Sequence, residues 1–129
     1  MQIEHVAIWT RNLEQLKTFY ETYFQAVAGK KYGNPARQYE SYFLSFATGA
    51  RLELMQMPTL LLSLNRTVAQ SAGYIHLAIS VGSQAQVDVL TTQLRQDGYQ
   101  VVGEPHWTGD GYYESGVLDP DGNRIEITV

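Results

Sequence analysis

Residues 3–8 read Ile3-Glu4-His5-Val6-Ala7-Ile8, and residues 74–79 read Tyr74-Ile75-His76-Leu77-Ala78-Ile79. A second recurrence sets Gly49-Ala50-Arg51-Leu52-Glu53-Leu54 against Gly122-Asn123-Arg124-Ile125-Glu126-Ile127. His5 precedes Glu53 by 48 positions and His76 precedes Glu126 by 50. An offset of 71 superposes the histidine strings, and one of 73 superposes the glutamate strings. The chain therefore reads as two copies of one module, each with a histidine near its start and a glutamate near its end.

The segments between these strings repeat as well. Residues 2–10 alternate with β-branched and aromatic side chains and predict a strand. Asn12 with Gln15 forms a capping box, and Leu13, Leu16, Tyr20, Tyr23 or Phe24, and Val27 follow at helical spacing, so a helix is expected over 13–27, ending near Gly29. Residues 30–35 are turn-rich or a short strand, and 40–47 and 50–57 form a hairpin around Thr48-Gly49. The second half predicts a strand over 73–81, a helix capped by Ser83 and Gln86 and stopped at Asp97-Gly98, and a strand over 99–104. A Gly-rich loop over 105–112, a strand over 113–118, the turn Asp119-Pro120-Asp121-Gly122 and a last strand over 123–129 complete it. Each half is βαβββ in outline: module one spans 1–57, module two 73–129, and 58–72 links them within a single α+β domain. The linker's leucines either cover the edge of the core or form a subunit contact.

Side chains alternate across a strand, so parity decides which residues are neighbours. Val6, Ile8, Leu52 and Leu54 share the face suited to packing under the first helix, which leaves His5, Ala7, Trp9, Arg51 and Glu53 on the other. The same parity puts Tyr74, His76, Arg124 and Glu126 on the helix-free face of the second half. A buried carboxylate costs several kcal/mol unless it is paired or bound to a cation. Two imidazoles and two carboxylates are a ligand set for a borderline divalent metal, and His5, Glu53, His76 and Glu126 are the candidate ligands. The plainer reading is that Arg51 and Arg124, two positions before each glutamate, pair with the carboxylates in a metal-free polar core.

Composition narrows the function. A chain of 129 residues with net charge −4 and no run of Lys or Arg does not present a nucleic-acid-binding surface. With no cysteine, thiolate metal sites and Cys nucleophiles are excluded. No apolar run approaches the ~20 residues of a membrane span, and the start Met-Gln-Ile-Glu-His lacks the features of a signal peptide. A soluble cytoplasmic protein is expected.

At these residues the chain resembles the vicinal oxygen chelate superfamily, which includes glyoxalase I, bleomycin-resistance and extradiol dioxygenase proteins. The resemblance spans essentially the whole chain. It rests on His5-Val6-Ala7-Ile8 with the helix that follows, on Arg51-Leu52-Glu53-Leu54, on Ile75-His76-Leu77-Ala78-Ile79, and on the closing Leu118-Asp119-Pro120-Asp121-Gly122-Asn123-Arg124-Ile125-Glu126-Ile127. It implies paired βαβββ modules whose sheets curl around a divalent metal. A His-Glu-His-Glu set is the glyoxalase I pattern, and Glu53 is the residue that points to that branch. Dioxygenases and fosfomycin-modifying enzymes lack a glutamate there, epimerases usually carry glutamine, and bleomycin-binding members lack the set. Where glyoxalase I typically has an arginine that holds glutathione, this chain has Trp9, which suits an apolar or flat substrate better.

The resemblance implies a metal-dependent lyase or isomerase acting on a small α-hydroxycarbonyl or hemithioacetal through an enediolate. The ion, which would be Ni, Zn, Co, Mn or Fe, serves as Lewis acid. Glu126 is the first choice for general base and Glu53 the second. The expected substrate pocket is lined by Trp9, Tyr74, Trp107, Asp110 and Tyr113, the last three from the loop region 104–115. The partners implied are a small-molecule substrate and a second copy of the chain in a homodimer. The rivals are a metal-free module that sequesters a drug-like aromatic, and a dioxygenase or thiol transferase of the same superfamily.

Overall fold

The computed structural model describes residues 1–60 and 72–129, and the chain divides into two compact units, Met1–Ser63 and Leu64–Val129. Most of the expected linker, residues 61–71 with Leu61, Leu62 and Leu64, lies outside the described residues. Both units mix helix and sheet, an α+β architecture.

The first unit runs β1 (His5–Trp9), α1 (Leu13–Phe24), β2 (Val27–Ala28), β3 (Tyr32–Asn34), β4 (Tyr39–Ser45) and β5 (Arg51–Gln56). Its strands lie in the order β1-β5-β4-β2, with β3 also pairing β4. β1 and β5 are parallel and the other pairs antiparallel. The Asn12 side chain accepts from the Gln15 N–H at 3.0 Å, and the Leu13 N–H donates to Gln56 Oε1 at 2.6 Å, which ties the start of α1 to the end of β5. Leu13, Leu16, Phe19, Tyr20 and Phe24 are buried on one helix face against Leu44, Leu52 and Leu54 of the sheet. The helix stops earlier than its periodicity suggests. Gln25 adopts a left-handed conformation (φ 54°), its N–H and that of Ala26 (at 3.2 Å) both return to the Tyr20 carbonyl, and the chain is freed for Val27 to pair with Ser45. Val27 is exposed rather than part of the helical stripe.

The second unit runs β6 (His76–Ser80), α2 (Gln84–Gln96), β7 (Val101–Trp107), β8 (Tyr113–Leu118) and β9 (Arg124–Thr128). Its sheet order is β6-β9-β8-β7, with β6 and β9 parallel and the other pairs antiparallel. The Ser83 hydroxyl accepts from the Gln86 N–H at 3.3 Å, and Gly98 at φ 90° ends the helical region. Val87, Leu90, Thr91 and Leu94 of α2 are buried with Val117, Ile125 and Ile127 of the sheet. Inside this layer the Thr91 hydroxyl meets that of Ser115 at 2.6 Å, which satisfies both. β7 runs on to Trp107, through register shifts on either side of Gly103, so the connection expected over 105–112 shortens to 108–112.

The alternation read from the sequence holds in both sheets. Leu52 and Leu54, like Ile125 and Ile127, are buried, while Glu53 and Glu126 between them are partly exposed. Val6 and Ile8 are more buried than His5, Ala7 and Trp9, and Leu77 and Ile79 more than His76, Ala78 and Ser80. No helix among the described residues is long and apolar enough to cross a membrane.

Candidate metal centre

In both units the histidine and glutamate stand on adjacent parallel strands, on the face away from the helix. Ala7 is the cross-strand partner of Glu53, and Ala78 that of Glu126. His5 pairs with Arg51, and His76 with Arg124. Each histidine therefore reaches its glutamate across a diagonal, and on that strand each glutamate faces only a methyl group directly opposite. His5 Nε2 lies 3.7 Å from Glu53 Oε2, and His76 Nε2 lies 3.0 Å from Glu126 Oε2. Two donors about 2.1 Å from one ion are about 3.0 Å apart at a right angle and about 3.6 Å apart at 120°. The donor chemistry and the spacing of both pairs fit a divalent ion. Among the described residues no three His, Cys, Asp or Glu side chains gather as metal ligands; the donors come in twos, one pair in each unit.

The first pair has an outer support. His5 Nδ1 is 2.5 Å from Glu4 Oε2, and the other Glu4 oxygen takes Arg51 Nε at 2.9 Å and a further contact from Arg51 Nη2. These hydrogen bonds, first from His5 and then from Arg51, hold the Glu4 carboxyl below its ordinary pKa. A carboxylate on Nδ1 selects the tautomer that leaves the Nε2 lone pair turned to Glu53. Phe43 completes the frame: its ring meets His5 edge-on with centroids 5.2 Å apart, and the Arg51 guanidinium lies 4.1 Å over it. Among the described residues neither Arg51 nor Arg124 forms an ion pair with the glutamate two positions on. The salt-bridged arrangement open to the sequence is not the one adopted. Glu4 and Phe43 were not singled out in the sequence, although an acid immediately before the histidine was the available signal.

A family model described as the Glyoxalase/Bleomycin resistance protein/Dioxygenase superfamily matches residues 2–127. The chain belongs to this superfamily. Glyoxalase I from Zea mays, as its V278E mutant, superposes with a TM-score of 0.79 at 21% identity over 98% of this chain, and this chain spans only 44% of the maize one. The trypanothione-dependent glyoxalase I of Leishmania major gives 0.78 at 23% identity, covering 99% of this chain and 86% of that one. A glyoxylase/bleomycin resistance protein/dioxygenase domain from Frankia sp. EAN1pec gives 0.82 at 18% identity over 100% and 97% of the two chains. At these identities the likeness concerns the fold. No curated protein matches.

Against this glyoxalase-like fold the expected pocket residues divide. Trp9 stands on the His5 face of β1 and is 46% exposed. Tyr74 precedes β6 and is fully exposed. Tyr113 and Trp107 are not brought to the His76–Glu126 face. Tyr113 shares its side of β8 with Ser115, and its hydroxyl donates to Asp88 of α2 at 2.8 Å, which raises the phenol's pKa. Trp107 is the cross-strand partner of Tyr113 and packs on its ring at 5.4 Å. This aromatic pair belongs to the helix side of the sheet because β8 begins one residue out of phase with Gly116 and Glu126. Asp110 is exposed in the tight turn between Thr108 and Tyr112.

Proposed function

We propose that this superfamily member is a divalent-metal-dependent lyase or isomerase of the glyoxalase I kind, acting on a small α-hydroxycarbonyl or hemithioacetal. The observation that carries the reading is the matched register of the two pairs, His5–Glu53 and His76–Glu126, each on the helix-free face of its own sheet. Two donors are too few for a tight site, whereas four would hold one such ion and still leave a position for the substrate's oxygens. A homodimer in the cytoplasm is part of the same proposal.

Bound to these residues, the ion supplies Lewis acidity to the oxygens of the substrate. The chain's own groups do the rest. Glu126 takes the proton from the substrate's α-carbon and returns it to the neighbouring carbon, with Glu53 as the second choice for this task. Ala78 and Gly116, on either side of Glu126, leave its carboxylate room to swing, whereas Glu53 has Ala7 on one side and Phe43 on the other. Glu4 holds His5 in the tautomer that offers Nε2. Trp9, where a glutathione-holding arginine is typical, offers a flat apolar wall, so the reading leaves the thiol open.

Elemental analysis of the purified protein, joined to a methylglyoxal-plus-thiol assay across added Ni, Zn, Co and Mn, tests the proposal. The expected result is metal-dependent turnover that Glu53→Gln and His76→Ala abolish together with metal binding. A protein that binds none of these ions, and is stabilised against heat by aromatic ligands alone, overturns it in favour of a sequestering module.

A further inference from the structure

The two modules differ at one matched position beside their ligand pairs. Phe43 is the cross-strand partner of Glu53, and Gly116 is that of Glu126. In the first unit the Phe43 ring fills the ground beside His5 and carries Arg51, whose guanidinium is already taken by Glu4. In the second unit neither Gly116 nor Gly103 puts a side chain on that ground, and the Arg124 guanidinium lies over it instead. Gly116 pairs with Gly103 on β7, and neither has a left-handed φ, so neither glycine is there for its backbone conformation. A Cβ on Gly116 would come within 3.3 Å of Arg124 Nη2 and of Val102 Cγ2, and one on Gly103 within 3.3 Å of the Gly116 nitrogen. The two glycines clear the strand surface on which the Arg124 guanidinium lies.

Arg124 has no counterpart to Glu4. Ile75 precedes His76, the buried Arg124 Nε has no hydrogen-bond partner, and among the described residues no carboxylate forms an ion pair with Arg124. Residues 61–71 contain no Asp or Glu that could supply one. A guanidinium presents a rigid planar fork suited to a carboxylate or phosphate, and leaving it half-buried without one is costly.

We propose that Arg124, over the cleared ground of Gly103 and Gly116, binds an oxyanion on the substrate, a carboxylate or phosphate borne away from the oxygens that reach the metal. The inference rests on the metal-dependent reading for the position of the substrate's other end. It makes the two modules unequal: in the first Phe43 fills the ground and the arginine is spent on Glu4, while in the second the arginine itself lies over the ground with no carboxylate partner among the described residues.

Three hydroxamates that share a chelating head test it: the monohydroxamate of succinic acid, its methyl ester, and phosphonoacetohydroxamate. Each is titrated calorimetrically into nickel-saturated protein and into metal-free protein, and nickel affinity is measured separately. In the wild type, at least one anionic tail should bind roughly tenfold or more tighter than the ester, as for a charge-assisted hydrogen-bonded pair. Arg124→Gln should reduce that preference to less than about twofold without moving nickel affinity, Arg124→Lys should restore part of it, and Arg51→Gln should leave it intact. Which tail is preferred separates carboxylate from phosphate. A preference that survives Arg124→Gln, one that follows Arg51 instead, or no preference in the wild type overturns the proposal. Protein that takes no nickel yet still prefers the anionic tails through Arg124 keeps the oxyanion site and loses the metal reading; the reverse pattern loses this inference alone.

Discussion

At the scale of residues, the two histidines are held by different means. His5 has Glu4 on Nδ1 and the Phe43 edge against its ring, whereas the residue before His76 is isoleucine. Outer partners of this kind typically contribute about 10–100-fold to metal affinity when removed. Glu4→Gln should therefore weaken nickel or zinc binding by roughly tenfold in a competition titration. Its melting temperature should barely change, because Glu4 is exposed. Ile75→Glu, which writes the same support into the second module, should tighten binding; an unchanged affinity in both variants would remove Glu4 from the site. The face on which the four ligand candidates stand was legible because a period-two pattern fixes it, and Leu52 and Ile125 confirm that phase by their burial. Glu4 and Arg124 were not, since which partner an arginine takes depends on the strand beside it. The offset of 73 that superposes Glu53 on Glu126 also superposes Phe43 on Gly116, so the difference between the modules was present in the sequence but had no meaning without the register.

Among elements, the helices and the closing turn show where local chemistry decides. Both caps expected from the sequence are made, at 3.0 Å for Asn12 and at a longer 3.3 Å for Ser83. Replacing either by alanine should cost about 1 kcal/mol, and Asn12→Ala should cost more than Ser83→Ala in denaturant unfolding. Periodicity found the helices but overran α1 by three residues, because a β-branched Val27 continues the apolar stripe while the backbone turns left-handed at Gln25 to pair it with Ser45. Asp119 anchors the last turn by accepting from the N–H groups of Asp121 and Asn123 and from the Asn123 side chain. Burial is the larger influence on its carboxyl and pushes the pKa above the ordinary 3.8, against those hydrogen bonds. The folded state then holds the proton more tightly than the unfolded one. The contribution of this group is fully present below the unfolded pKa and falls away as pH rises through the folded one. From acid to neutral pH the wild type should lose stability relative to Asp119→Asn, and a carbon NMR titration should place the Asp119 midpoint above 3.8. A midpoint at or below the ordinary value would mean that the hydrogen bonds win.

For the molecule as a whole, the question is how many ions a chain holds. Each unit alone offers two donors, His5 with Glu53 and His76 with Glu126, and the duplicated register makes the pairs near-equivalent. Two separate half-filled sites and one shared full site predict different arithmetic. Separate sites give two ions per chain, each weakly held, and Glu53→Gln removes one ion while leaving the other. A shared site gives one ion per chain, and Glu53→Gln or Glu126→Gln alone weakens it severely, because each takes a charged donor from the same coordination sphere. The double variant then loses little beyond either single one, since residues that act as a unit are not additive. The proposed four-donor site predicts the second pattern, with a stoichiometry of about one and with metal affinity falling on acidification as protons compete with the ion for its ligands. Elemental analysis of the wild type, both single variants and the double variant after dialysis against a fixed free-metal buffer reads it directly. Two ions in the wild type and one in each single variant would leave two independent pairs, and the lyase reading would lose the four-donor site it requires.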